Sequence, residues 1–272
     1  MPISRSIPIV TLTTDFGSAD HYAGTMKGVI LSRCPKAQVV DISHEVPPFN
    51  IYAGAYTVSQ AAPFFPLGTI HVVVVDPGVG TARKPLLLEA SGQFFVAPDN
   101  GVLSIIADRD PNWNAREITN SDLFLPSVSG TFHGRDVFAP SAAGLASGAG
   151  LEDIGPRLEK IELLPDLEPE ATGQGEWRGR ILSVDRFGNV ITNFRSDRFP
   201  SLESHAFRLQ FGSVAVSTIA KTFGEAAADQ CFAYHGSSGY IEAGINQASA
   251  ARKGGVGPGD QVRIYLVNQK RQ

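Results

Sequence analysis

Seven residues after Asp76 stands Arg83, across a loop that carries Gly78 and Gly80. A carboxylate and a guanidinium held together this way can accept and donate hydrogen bonds to one small polar molecule. The loop directly follows the apolar run Ile70–Val75 and so imitates the opening of a dinucleotide-binding fingerprint. Its context is wrong for that role. Arg83 occupies the third glycine position, Pro77 interrupts the turn, and Lys84-Pro85 leads into another strand instead of a helix. Taken alone, an Asp/Arg pair at this spacing is ordinarily a surface ion pair.

His133, in Gly130-Thr131-Phe132-His133-Gly134-Arg135-Asp136, stands just before an expected helix. A lone histidine is more often structural than catalytic, and Asp136 is expected to cap the helix that starts at Val137. Asp15 ends the first strand-like run, Asp41 lies in the second and Asp76 follows the third. Ligands of parallel α/β sheets bind at such strand ends, which favours Asp15 and Asp76 over Asp41, whose segment Asp41-Ile42-Ser43-His44 also reads as a cap. Asp15, Asp76 and His133 could gather around a metal, but no HExxH or HxxxH spacing fixes one, so no metal is expected. Asp185-Arg186-Phe187-Gly188-Asn189 is by itself a hairpin turn, and Tyr234-His235-Gly236-Ser237-Ser238 by itself a loop before a strand.

The elements that must position these residues alternate strand and helix through about residue 165. Strands are expected at Ile9–Leu12, Gln38–Ile42 and Ile70–Val75, and a hairpin at Leu86–Glu89 with Phe94–Ala97. Asp20 is expected to cap a helix whose buried face carries Met26, Val29, Ile30 and Leu31 and which stops at Pro35. Further helices are expected at Tyr52–Ala61, Gly101–Ala107 and Val137–Ala146. Continuous hydrophobicity in the strands predicts a mostly parallel sheet covered on both faces.

Pro156–Gly179 reads as a linker. Beyond it, Arg180–Val184, Val190–Asn193, Phe207–Phe211, Val214–Val216, Gly239–Ala243 and Val262–Leu266 are short and turn-spaced, with one helix expected at Lys221–Ala227. The fold class is therefore α/β: an N-terminal α/β domain over 1–165 and a smaller antiparallel, barrel-like β domain over 176–272.

Composition narrows the partners. With 272 residues, 43% hydrophobic and 18% charged, the chain can bury a large core. A net charge of −4 disfavours nucleic acid and anionic membranes, and the apolar run at Val72–Val75 is far too short to span a bilayer. Cys34 and Cys231 lack metal spacing, and the start MPISRSIPIVTLTTDFG lacks the pattern of a signal peptide; a cytoplasmic, reduced protein is expected.

Together the segments resemble one family, the S-adenosylmethionine (SAM) hydroxide adenosyltransferases, relatives of the SAM-dependent fluorinase and chlorinase. The resemblance rests on Thr13–Gly17, Asp41–His44, Val75–Arg83, Pro98–Gly101, Thr131–Asp136, Asp185–Asn189 with Thr192-Asn193, and Ser237–Tyr240, in family order and across nearly the whole chain. It implies an enzyme that cleaves SAM with water to adenosine and L-methionine, with Asp76, Arg83 and His133 handling the water. It also implies that Asp15 holds the ribose hydroxyls, that Asp185 and Ser237 contact the methionine amino acid group, and that Asn189 contacts adenine. Tyr234 is a further substrate contact.

The family is expected to form a homotrimer, with each active site between the N-terminal domain of one subunit and the C-terminal domain of the next. SAM is the substrate and no cofactor is expected. A halogenase is disfavoured because its aromatic residue and serine are replaced here by Asp76 and Gly134. A non-catalytic SAM- or adenosine-binding protein needs Asp15 and the methionine contacts but not Asp76, Arg83 and His133 together.

Overall fold

In the computed structural model, residues 7–199, 202 and 205–267 are described; the remaining residues of the expected domains 1–165 and 176–272, and the start of the N-terminal run, lie outside them. The chain divides into two units between Leu164 and Pro165.

The first unit begins with β1 (Ile9–Thr14), α1 (Tyr22–Arg33), β2 (Gln38–Ser43), α2 (Ile51–Ala61) and β3 (Ile70–Val74). It continues with β4 (Pro85–Ala90), β5 (Gln93–Pro98), α3 (Ser104–Arg109), β6 (Asn114–Glu117), α4 (Ala139–Ala146) and β7 (Arg157–Leu158). These strands form one sheet in the order β2-β1-β3-β5-β4-β6-β7. The pairs β2/β1, β1/β3 and β3/β5 are parallel; the β4–β5 hairpin and the strands beyond it are antiparallel.

Alternate residues of β3 pack on opposite layers, as strand pleating requires. Val72 and Val74 join Met26, Ile30 and Ala142, whereas Val73 joins Val58, Leu103 and Ile106. Each of the buried Val, Leu, Ile and Met side chains among them contributes about 1.5–3 kcal/mol, so both faces of the sheet are held. The chain runs from β1 outward to β2 and then crosses to β3 on the other side. The C-terminal ends of β1 and β3 thus flank the point where strand order reverses, the place where open α/β sheets leave a crevice.

Four local expectations are corrected. Asp20 does not cap α1; His21 precedes the helix, and its carbonyl accepts from Thr25. Leu31 is exposed, because it lies well round the helix from Met26 and Ile30. Asp136 caps nothing: the helix is preceded by a π-helical turn, Gly134–Phe138, and the fully buried Asp136 carboxylate accepts from Ser129 N and from Arg135. The stretch 156–179 is not a bare linker, since β7 and two strands of the second unit arise within it.

The second unit comprises β8 (Glu170–Gly173), β9 (Glu176–Val184), β10 (Val190–Arg195), β11 (Ala206–Phe211), β12 (Val214–Val216), β13 (Cys231–His235), β14 (Tyr240–Ile245), α5 (Ala250–Gly254) and β15 (Gln261–Val267). Its antiparallel sheet runs β12-β11-β15-β9-β10-β14-β13, with β8 on β9. The two ends nearly meet: Ala233 of β13 donates to Thr218 O at 2.8 Å and accepts from Ala220 N at 3.0 Å, just beyond β12. That closure gives the expected barrel-like form.

The helix expected at Lys221–Ala227 is only a short 3₁₀ turn, Phe223–Glu225, because Phe223 packs on Phe232 and Tyr234 and Gly224 offers no helical preference. Among the described residues, no helix is long and apolar enough to cross a membrane.

Candidate functional site

Parallel pairing sets Thr14 of β1 opposite Val74 of β3. Asp15 and Asp76 therefore emerge from adjacent strand ends, close enough for the charge on Asp76 to act on Asp15. Burial raises the Asp15 carboxyl above its ordinary range, the Phe49 backbone N–H pulls it down, and Asp76 pushes it up again. Phe49 N donates to Asp15 Oδ2 at 2.8 Å. Phe49 itself sits at φ +64, unusual for a non-glycine residue, with its ring 72% exposed.

The glycine loop after β3 folds Arg83 back onto Asp76. Turn bonds from Val79 N to Asp76 O and from Thr81 N to Gly78 O curl it, and Arg83 Nε then donates to Asp76 Oδ1 and Oδ2 at 3.1 and 2.9 Å. Arg83 Nη2 donates to Asp76 Oδ2 at 2.5 Å and to His133 Nδ1 at 2.8 Å. The Asp76 and Arg83 side chains are 4% and 9% exposed, so this is not the ordinary surface ion pair.

Gly80 makes the meeting with His133 possible. At φ +77 it lies against the Gly130 carbonyl, and a β-carbon there would stand 2.2 Å from that oxygen. On the other side, Ser129 Oγ accepts from Phe132 N while Asp136 holds Ser129 N, which fixes the loop that ends in His133. At Gly134 an added β-carbon would meet Met26 Sδ, Phe132 and Phe16 at 3.2–3.4 Å.

A guanidinium has no acceptor, so His133 Nδ1 must offer its lone pair to Arg83, and the neutral ring carries its proton on Nε2. Burial, and next the Arg83 charge, lower the His133 pKa below its ordinary value; Asp76, Asp136 and a hydrogen bond to the Ser129 backbone oppose them. Asp15, Asp76 and His133 line a pocket of about 210 Å³ with Phe16, Pro48 and Phe49. Arg83 is not among the pocket-lining residues; it joins two that are.

In the second unit, Asp185, Asn189, Tyr234 and Ser237 all line a larger pocket of about 820 Å³, beside Phe187, Phe223 and Glu242. Asp185 is heavily engaged: Oδ1 accepts from the Phe187 and Asn189 amides, and Oδ2 accepts from Asn189 Nδ2 at 2.7 Å. Asn189 Oδ1 is left buried without a protein partner, while its amide nitrogen is held. Gly244 leaves it room, since a β-carbon there would come 2.7 Å from that oxygen. Tyr234 Oη and Ser238 Oγ donate to Glu242 at 2.7 and 2.6 Å.

Sequence reasoning missed Phe16, Phe49, Phe187, Phe223 and Glu242 as wall residues. Only Glu242 carried a signal, a carboxylate inside the otherwise apolar strand Tyr240–Ile245. Among the described residues no group of His, Cys, Asp or Glu could hold a metal ion.

Comparison with known proteins covers both units. Residues 10–155 match the family model of the SAM hydroxide adenosyltransferase N-terminal domain, and residues 179–263 match that of its C-terminal domain. The chain is similar to the (R)-S-adenosyl-L-methionine hydrolase of Salinispora tropica, at 37% identity over 94% of this chain and 97% of that protein. A fluorinase of Actinopolyspora mzabensis is 28% identical over 74% of this chain and 76% of the relative. The crystal structure of an uncharacterized conserved protein from Thermotoga maritima superposes with a TM-score of 0.83 at 38% identity, covering 94% of this chain and 99% of that one.

Proposed function

The chain belongs to the SAM hydroxide adenosyltransferase family, and on that premise we propose how it hydrolyses S-adenosyl-L-methionine to adenosine and L-methionine. The observation that carries the mechanism is the Asp76–Arg83–His133 network, two of whose members face the pocket shared with Asp15.

Methionine leaves a sulfonium as a neutral thioether, so no general acid is required. Water attacks C5′, the C5′–S bond breaks, its electron pair stays on sulfur, and one proton leaves the water. Asp76 is the acceptor for that proton: Oδ2 takes two donated bonds from Arg83, whereas Oδ1 takes one and keeps a lone pair for the water. His133 is occupied at Nδ1 by Arg83 and is also bonded to the Ser129 backbone. It holds the guanidinium, and the guanidinium holds the carboxylate that orients the water in line with the C5′–S bond. Placement of this kind supplies much of a bimolecular barrier.

Asp15 accepts the ribose cis-diol. The free Oδ1 of Asn189 is suited to an exocyclic amine such as that of adenine, and Asp185 and Ser237 serve the amino acid group, with Tyr234 on the same wall. Each pocket holds contacts for only part of this substrate. A homotrimer in which the second unit of a neighbouring copy completes the site accommodates both sets. The protein works in the cytoplasm, needs no cofactor, and shares the preference for the (R) sulfonium epimer named in its relative. A halide in place of water is disfavoured, because the Asp76 carboxylate would repel it at short range.

The test is incubation with SAM, with adenosine and methionine followed by chromatography. Both products are expected in equal amounts, and neither appearing at high enzyme with an intact fold would end the proposal.

A further inference from the structure

The segment Asp41–His44 takes no part in the chemistry above, yet His44 is buried and both ring nitrogens face named groups. Nδ1 lies 2.8 Å from Thr14 Oγ1. Nε2 lies 3.0 Å from Asp41 Oδ1, a close polar contact short of full hydrogen-bond alignment. Lys27 Nζ stands 2.5 Å from the other Asp41 oxygen, so the array starts at a half-exposed ion pair and ends at the last residue of β1. The order Asp, His, hydroxyl imitates a nucleophilic triad. It cannot act as one on a pocket ligand, because Thr14 is fully buried and is not part of the pocket wall.

What Thr14 does adjoin is Asp15. Its hydroxyl oxygen accepts from Phe16 N at 3.3 Å; the Asp41 carboxylate beside Nε2 favours the ring proton on that nitrogen, so the Thr14 hydroxyl donates to His44 Nδ1. Two backbone bonds, Val46 N to Thr14 O and Gly17 N to His44 O at 2.7 Å, tie the same two segments together. Phe49, three residues past Val46, donates to the Asp15 carboxylate. The residues on both sides of Asp15 are therefore anchored to one stretch, 44–49.

We propose that Asp41, His44 and Thr14 are positioning residues that fix the turn carrying Asp15, and so set how tightly the substrate ribose is held. This rests on the reading of Asp15 as the ribose carboxylate. Side-chain support of this kind matters because small displacements of a binding group cost much of its effect.

The experiment compares SAM with its 2′-deoxy analogue in the full-length enzyme. Wild type is expected to favour SAM by about tenfold or more in kcat/KM, the order of one lost hydrogen bond to a charged acceptor. Thr14→Val keeps shape and removes the hydroxyl. It is expected to raise KM for SAM about fivefold or more, to lower kcat less, and to cut the preference over the deoxy analogue to about threefold or less. Thr14→Ser restores the preference, and Asp41→Asn shifts it in the same direction as Thr14→Val but less.

Thermal melts of each variant separate loss of fold from loss of position. Equal discrimination by folded Thr14→Val and wild type overturns the proposal and leaves the hydrolase reading intact. Wild-type turnover without discrimination overturns the ribose role of Asp15 and this proposal with it. No wild-type turnover of SAM overturns the hydrolase reading as well.

Discussion

Arg83 Nη2 donates to His133 Nδ1 at 2.8 Å, a bond that exists only while the imidazole is neutral. Protonation would set two donors and two positive charges against each other beside Asp76.

Activity should therefore have an acid limb that reports His133. Burial and the Arg83 charge depress its pKa below the ordinary 6.5, so the midpoint of this limb should lie below pH 6.5. Replacing Arg83 with Gln removes a charge that lowers this pKa and leaves Asp76 to raise it. The acid limb of the residual activity should then move upward. A pH–rate profile of both enzymes checks this; an unmoved limb assigns it to another group.

Asp76→Ala should separate binding from chemistry. The proposed ribose and methionine contacts lie elsewhere, so SAM affinity by calorimetry should stay within about threefold while turnover falls by about 10²–10⁴-fold. Loss of both together would make Asp76 a binding residue.

Gly80→Ala should uncouple the two loops. The added β-carbon would sit 2.2 Å from the Gly130 oxygen at φ +77, which costs about 1–3 kcal/mol or more. Because His133 would move away from Arg83, activity should drop about tenfold or more. Gly78→Ala is the control: its nearest new contact is 3.5 Å, and its stability should change by less than about 0.5 kcal/mol. Melting curves and kcat for both variants decide.

His71 should make the protein acid-sensitive. It is fully buried beside Thr11, stacked on Phe95, and burial lowers its pKa from 6.5 to about 4. Between those values the unfolded chain binds a proton that the folded one refuses. Its contribution is nil above pH 7 and grows to a destabilisation of roughly 3 kcal/mol as pH falls to 4. Denaturant titrations should show His71→Asn with a shallower loss of stability across that range than wild type.

What could be read from the residues followed physical rules with local signals. The β1–α1–β2–α2–β3 order was legible from continuous apolar runs and their breaks, and the barrel-like second unit from short strands at turn spacing. Asp15 and Asp76 were legible as strand-end carboxylates. The union of Arg83 with His133 followed only from the family resemblance and not from spacing, because it depends on Gly80 meeting a carbonyl fifty residues away. Nor was the start of α1 legible, where Asp20 looked a better cap than His21, nor were the strands β7 and β8, whose short polar sequences gain order only from their neighbours in the sheets. Glu242 stood out only as a carboxylate in an apolar strand; its two hydroxyl donors, Tyr234 and Ser238, come from an adjacent strand and turn that the sequence does not join to it.

The close fit at Gly134 also limits how this protein can be altered. The first atom of any side chain placed there meets Met26, Phe132 and Phe16. Redesign toward a nucleophile other than water therefore concerns position 134 together with its neighbours: a side chain there needs Met26, Phe132 and Phe16 to give by a few tenths of an ångström, and the flexible Met26 is the member best able to do so. Paired libraries at 26 and 134 should thus retain more folded, active members than libraries at 134 alone.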